Sequence, residues 1–164
     1  RAAELLRDQQ RLGSEPLSNG RLAELCGVSS EAIVANKSGG AIAFALDHAV
    51  NRGRLVLRSK WETGRRFEVA RLLGDRIVAQ QGGRLFPATR SRTYRQQMQR
   101  AFAAELLSPF DAVDDLLDGD YSAEKRQDAA EHFNVSELQI RTLLVNHRRL
   151  LPEELEPEFQ LDVA

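Results

Sequence analysis

Apolar positions along this chain keep a helical period, switch briefly to alternation and then return to a helical period. The pattern predicts helices on both sides of a small sheet. Ala2, Ala3, Leu5, Leu6 and Leu12 read as one amphipathic helix ending at Leu12-Gly13, and Gly13-Ser14-Glu15-Pro16 reads as a loop. Leu22, Leu25, Val28 and Ile33 predict two short helices broken at Gly27. After Gly39-Gly40 the period changes: Ile42, Phe44 and Leu46 alternate with small residues, and Leu55 to Leu57 form a second strand-like run. Between them Asp47 to Gly53 carries Asn51 and Gly53, residues suited to a hairpin with a longer loop.

Ser59 with Glu62 three residues on fits a capping box, with Thr63 as a competing cap. From there to about Gln80 the pattern is helical, with Phe67, Ala70, Leu73, Gly74 and Ile77 on one side, until Gly82-Gly83 stops it. Leu85-Phe86-Pro87 reads as a short extended piece and Pro87 to Arg92 as a loop. A strong helix covers roughly Ser91 to Leu107 and stops at Ser108-Pro109. Shorter ones follow at Asp111 to Leu117, Ala123 to Phe133 and Ser136 to Asn146. One hairpin-like sheet among many helices predicts an α+β fold. There is no internal repeat and no low-complexity tract.

With 164 residues, 42% hydrophobic and 29% charged, the composition is that of an ordinary globular domain able to bury a core. The formal net charge of -1 gives no global reason to expect a nucleic-acid or membrane partner. No apolar run approaches membrane-spanning length, no signal peptide is visible, and the lone Cys26 excludes an internal disulfide, which predicts a cytoplasmic setting. A chain opening on Arg1 predicts a piece of a longer protein. The balanced total hides segregation. From Arg76 to Ala104 there is no carboxylate, while Arg76, Arg84, Arg90, Arg92, Arg95 and Arg100 are cationic. Glu105, Asp111, Asp114, Asp115, Asp118 and Asp120 then reverse the sign, and Glu153 to Asp162 form an acidic tail.

Three stretches carry a family likeness: Arg65-Arg66-Phe67-Glu68-Val69-Ala70, then Ala101-Phe102-Ala103-Ala104-Glu105-Leu106-Leu107-Ser108-Pro109, then Ala129-Ala130-Glu131-His132-Phe133-Asn134-Val135-Ser136. In order and spacing they resemble the ImmA/IrrE family, zinc-peptidase-like domains of bacterial and phage regulatory proteins, from about Leu22 to Leu150. The resemblance implies a mainly helical zincin-like domain with a small antiparallel sheet and a C-terminal helix-turn-helix-like segment. Its parts would be a helical 1–38, a 39–109 unit holding the hairpin and the zincin helices, a helical 110–150, and the tail 151–164.

The same resemblance puts the family's first metal-binding His on Arg71, its general-base Glu on Leu72 and its second His on Asp75. The third ligand, a carboxylate, would come from the helix that here reads Arg95-Gln96-Gln97-Met98-Gln99-Arg100, which has no acid. One carboxylate beside an arginine cannot assemble a three-ligand zinc site, and leucine cannot activate water. His48, His132 and His147 form no ligand-spaced pair. The chain is therefore expected to be a pseudoenzyme without a cofactor or catalytic residue, a sensing or protein-binding module in a transcriptional regulator. An active zinc peptidase is the alternative that the missing ligands oppose. DNA would be reached through an upstream domain, and homo-oligomers are possible.

Arg71 and Asp75 share a helix face, which leaves two readings open. One is an i, i+4 ion pair worth about 0.2–0.5 kcal/mol if exposed. The other is a cleft lined by Arg71, Asp75, Arg95, Met98 and Gln99 that holds a small anionic ligand or a peptide by bidentate contacts. Two segments, Leu22-Ala23-Glu24-Leu25-Cys26-Gly27-Val28-Ser29 and residues 129–136, have the packing logic of a bihelical corner. DNA reading would need exposed amide and basic side chains on the second helix. The first segment offers only Asn36 and Lys37. The second offers Gln139, Arg141, Asn146, Arg148 and Arg149, and it is the alternative DNA-binding module. Trp61 marks either an interface or a packing residue.

Overall fold

The structure, a computed structural model, describes residues 1–35, 43–46, 54–78 and 85–152. Among these residues the chain is mainly helical. The order is α1 (Ala2–Gln9), α2 (Asn19–Cys26), α3 (Glu31–Val34), β1 (Ala43–Leu46), β2 (Arg54–Val56), α4 (Glu62–Val78), β3 (Leu85–Ala88), α5 (Tyr94–Leu107), α6 (Phe110–Leu117), α7 (Ala123–Phe133) and α8 (Glu137–Asn146). The strands form one small antiparallel sheet in the order β2-β1-β3, with Phe44 opposite Val56 on one side and Pro87 on the other. Strand β3 includes Pro87, as the sequence suggests, and runs one residue further to Ala88. An edge strand tolerates a residue with no backbone N–H to give. The expected turn at 47–53, with His48, lies outside the described residues, as do Ile42, Asn36, Lys37 and the acidic tail from 153 on. No described helix is long and apolar enough to cross a membrane.

Helix boundaries follow local chemistry. The side chains of Ser18, Thr93, Ser122 and Ser136 accept from the backbone N–H three residues on, at the N-termini of α2, α5, α7 and α8. Gly27 (φ 66°) and Asn134 (φ 51°) adopt the left-handed conformation that ends α2 and α7. Helix α1 stops at Gln9, earlier than the apolar pattern suggests, where Arg11 turns to φ 53°. The capping box expected at Ser59 and Glu62 does not form. Ser59 Oγ accepts from Trp61 N at 3.2 Å, while Glu62 turns away from it.

Glu62 instead ties three parts of the chain together. One oxygen, Oε1, accepts from Asn19 Nδ2 at 2.9 Å, on α2, and from Asn134 Nδ2 at 3.0 Å, in the α7–α8 turn. The Asn134 bond, then the Asn19 bond, and behind them Arg66 and Arg65, hold its carboxyl below the ordinary carboxylate range. A depressed folded pKa stabilises the fold above the unfolded pKa and gives that stability up as pH falls through the folded value. Glu62→Gln keeps an acceptor but removes the charge. Urea midpoints measured from pH 7 down to pH 3 should therefore fall less steeply in Glu62→Gln than in the parent. Parallel slopes would refute the assignment.

One buried apolar cluster runs through the molecule, from Ala3 and Leu22 through Ile33, Val69, Phe102 and Leu106 to Val113, Phe133, Ile140 and Leu144. Helix α4 lies at its centre, packed mainly on α5 and also on α2, α3 and β3. The sequence pattern assigns α4 one apolar face. In the structure every residue from Glu68 to Asp75 is buried, while Ile77, placed on that face, is 46% exposed. A helix buried on all sides is ordinarily apolar throughout. Arg65, Arg66, Glu68, Arg71 and Asp75 are buried in α4 instead, so each needs partners that compensate for lost hydration.

Candidate functional site

Those partners build the site. Arg65 gives Nε to Ile33 O at 2.6 Å, Nη2 to Val34 O at 3.0 Å and Nη1 to Lys60 O at 2.5 Å, so one guanidinium closes the end of α3 against the approach to α4. Arg66 donates to Asn19 Oδ1 and, at 2.5 Å, to Leu17 O. Glu68 accepts the backbone N–H groups of Arg58 at 2.8 Å and Ser59 at 3.1 Å, and faces the Arg58 side chain at 3.6 Å. Its carboxylate folds the chain after β2 onto α4.

One turn on, Arg71 points between β3 and α5. Its Nη2 donates to Thr89 O at 2.7 Å and Gln96 Oε1 at 2.5 Å, with Gln99 Oε1 at 3.3 Å. Both amides also donate to Pro87 O, Gln96 at 3.2 Å and Gln99 at 3.0 Å, and Gln96 Oε1 accepts from Thr89 N at 2.9 Å. The network closes the end of β3 onto α5 through Arg71. Burial first, and then Arg100, pushes the Arg71 pKa down to about 10. Leu72 packs in the apolar cluster.

Asp75 does not pair with Arg71. It accepts both arms of Arg95, Nε at 2.7 Å and Nη2 at 2.5 Å, in the side-on geometry that makes arginine–carboxylate pairs strong. The i, i+4 reading therefore gives way to a pair between α4 and α5. A helix face offers only neighbours on the same helix, whereas the crossing brings Arg95 onto the buried oxygens of Asp75. Of the five residues expected to line a cleft, Arg71, Asp75, Arg95 and Gln99 share this interface. Met98 is half-buried and gives Arg71 and Asp75 no hydrogen bond. Glu68 and Gln96 belong to the site and escape a reading of the sequence by family positions. Their signal was spacing: Glu68 precedes Arg71 by three residues, and Gln96 precedes Gln99 by three.

The other expectations divide. Among the described residues no group of three or more His, Cys, Asp or Glu side chains could hold a metal ion. His132 meets Phe133 edge-on and His147 stacks on Phe110, with ring centres 3.7 Å apart. Cys26 lies against Val69 O at 4.0 Å, and burial pushes its thiol up to about 12, so it is protonated at neutral pH. Trp61 is 78% exposed, so the packing reading fails there.

In the DNA set, Gln139 donates to Ser108 Oγ at 2.9 Å. Arg141 is buried beside Glu137 at 3.7 Å. Arg149 clasps Asp114 at 3.1 and 2.6 Å and lies over the Phe110 ring. Arg148 and Asn146 are exposed. Three of the five reading groups are thus engaged within the fold: Arg141 is buried, Gln139 half-buried, and Arg149, past the end of α8, holds Asp114 at the surface. No family model, no curated protein and no solved structure matches this chain.

Proposed function

We propose that this chain is a non-catalytic binding or sensing domain, an ImmA/IrrE-like pseudo-metallopeptidase serving as the regulatory part of a bacterial transcriptional regulator. One observation carries the reading. The positions where the resemblance calls for two metal-binding imidazoles and a general base hold a guanidinium bonded to amide and carbonyl oxygens, a core leucine, and a carboxylate clasped by Arg95. Hydrolysis by a zincin needs three protein ligands around an open metal position and a group to deprotonate water. Asp75 is the one residue of the three able to ligate a metal, and ligation would compete with its fork to Arg95. The helix-turn-helix-like alternative draws no support from α8 and the turn after it, where Gln139, Arg141 and Arg149 are engaged by Ser108, Glu137 and Asp114.

Metal analysis of the protein purified from zinc-supplemented cells, paired with a peptide-cleavage assay, tests this. The expected outcome is substoichiometric zinc and no cleavage. One tightly held zinc per chain, released by Asp75→Ala, would restore the enzyme reading.

A further inference from the structure

The loop after β3 and the first turns of α5 gather cations at the surface. Every residue from Arg90 to Arg95 is exposed, and the stretch from Arg76 to Ala104 supplies no carboxylate. Asp75 engages Arg95, and Arg100 donates to the neutral Ser91 O at 3.1 Å. The formal net charge of -1 conceals this, because the balancing acids belong to other segments. The fold itself gains little from the arrangement. Arginines at the positive end of a helix oppose its dipole, and α5 has no acid in its first turn.

An aromatic ring stands among these cations. Tyr94 opens α5 and is 77% exposed. Tyr94, Gln97 and Arg100 follow at three-residue spacing and form one ridge on the outer side of the helix. Gln96 and Gln99 take the opposite, buried side. The Arg100 side chain reaches Ser91, the neighbour of Arg92, so ring, amide and two guanidiniums lie within about two helical turns. The loop that carries Arg92 is fixed at both ends. Arg71 donates to Thr89 O at 2.7 Å, Thr89 N donates to Gln96 Oε1 at 2.9 Å, and Thr93 caps α5. Side chains displayed on a pinned loop and a helix leave less to be ordered when a partner binds.

We propose that this ridge binds single-stranded nucleic acid, with Arg92 and Arg100 on phosphates, Gln97 on a sugar or base edge and Tyr94 stacked on an unpaired base. Phosphates answer the cations and a base answers the exposed ring, which an acidic peptide would leave uncovered. A duplex keeps its bases stacked on one another and offers Tyr94 no free face. The surface is separate from the α8 set, and it contains none of Arg71, Leu72 and Asp75. Its failure and that of the non-catalytic reading are therefore distinguishable.

Fluorescence anisotropy of labelled oligouridylate and oligothymidylate of about ten nucleotides, titrated with the chain, tests it. Saturable binding is expected, and the tighter strand names RNA or DNA. Two phosphate contacts give a slope of about −1.4 in log affinity against log salt, roughly a sevenfold loss between about 50 and about 200 mM. Arg92→Gln should flatten that slope by about 0.7, which a merely structural residue would not do. Tyr94→Ala should weaken binding about fivefold or more at unchanged slope, while Tyr94→Phe stays within about twofold of the parent. Both residues are exposed, so these variants should keep the parent's circular dichroism and melting curve. Arg148→Gln, exposed after α8, should bind as the parent does. No saturable binding to either strand, or full binding by Tyr94→Ala, overturns the surface. So does a duplex or a glutamate-rich peptide bound as tightly as the single strand.

Discussion

Arg66→Ala is expected to cost the fold about 3 kcal/mol, the largest loss of any single truncation in α4. Arg66 is the largest of the fully buried side chains, at 1% exposure. Its guanidinium supplies the donors for Leu17 O and Asn19 Oδ1, which would be left in the interior without them. An unmet buried acceptor costs about 1–3 kcal/mol, and the space vacated by the side chain adds a cavity term. Glu62 would also lose a neighbouring cation. At this chain length about 3 kcal/mol corresponds to a drop of roughly 6–12 °C in melting temperature. Arg66→Met fills most of the volume but supplies no donor, so it should fall between parent and alanine. Urea unfolding decides the matter, and a cost below about 1 kcal/mol for Arg66→Ala would show that the two acceptors find other donors.

Gly74→Val should be nearly as damaging, for a steric reason. A Cβ at Gly74 would lie 2.5 Å from Phe102 Cδ1, 2.7 Å from Cγ and 3.1 Å from Cβ. The stem of the ring, not its free end, stands in the way, so rotating the ring does not clear the space. Glycine inside a helix ordinarily costs about 1 kcal/mol relative to alanine. Here it permits α4 and α5 to approach at their crossing. Overpacking of this kind costs about 1–3 kcal/mol, and valine adds further atoms against the same ring. Gly74→Ala should destabilise less than valine, because helix propensity offsets part of the clash. In a Phe102→Ala background the same Gly74→Ala change should become neutral or stabilising. A Gly74→Ala protein more stable than its parent with Phe102 intact would contradict the close crossing.

These two positions show where a reading of the sequence stops. Gly74 stands in the predicted helix as one more small residue on an apolar face, and Arg66 as one of a pair of arginines in a family frame. Arg66 does not announce its burial and Gly74 does not announce the close approach of Phe102, because the helical period marks one side of α4 and the structure covers both. The order of elements was legible nonetheless. Gly27 and Asn134 end the helices they follow, as the sequence suggests. The caps at Ser18, Thr93, Ser122 and Ser136 escape that reading, and the one it does pick out, at Ser59, does not form. Asp75 is the instructive failure in the site. Its spacing from Arg71 suggested a pair along the helix, and the crossing supplied Arg95 with better geometry.

Local propensity and periodicity act within a few residues, so the amino-acid sequence by itself determined the helices, the stops at Gly27 and Asn134, the strand segments and the absence of zinc-ligating side chains at positions 71 and 72. Which cation meets which carboxylate, and which donor is left unmet, depends on elements tens of residues apart approaching within about 3 Å. Only the packing of α4 against α5 and β3 decided that Asp75 belongs to Arg95 and that, among the described residues, Arg71 bonds to the oxygens of Thr89, Gln96 and Gln99. Coulomb energy and hydrogen bonding reward such close approaches steeply with distance, and no pattern along the chain encodes that distance directly.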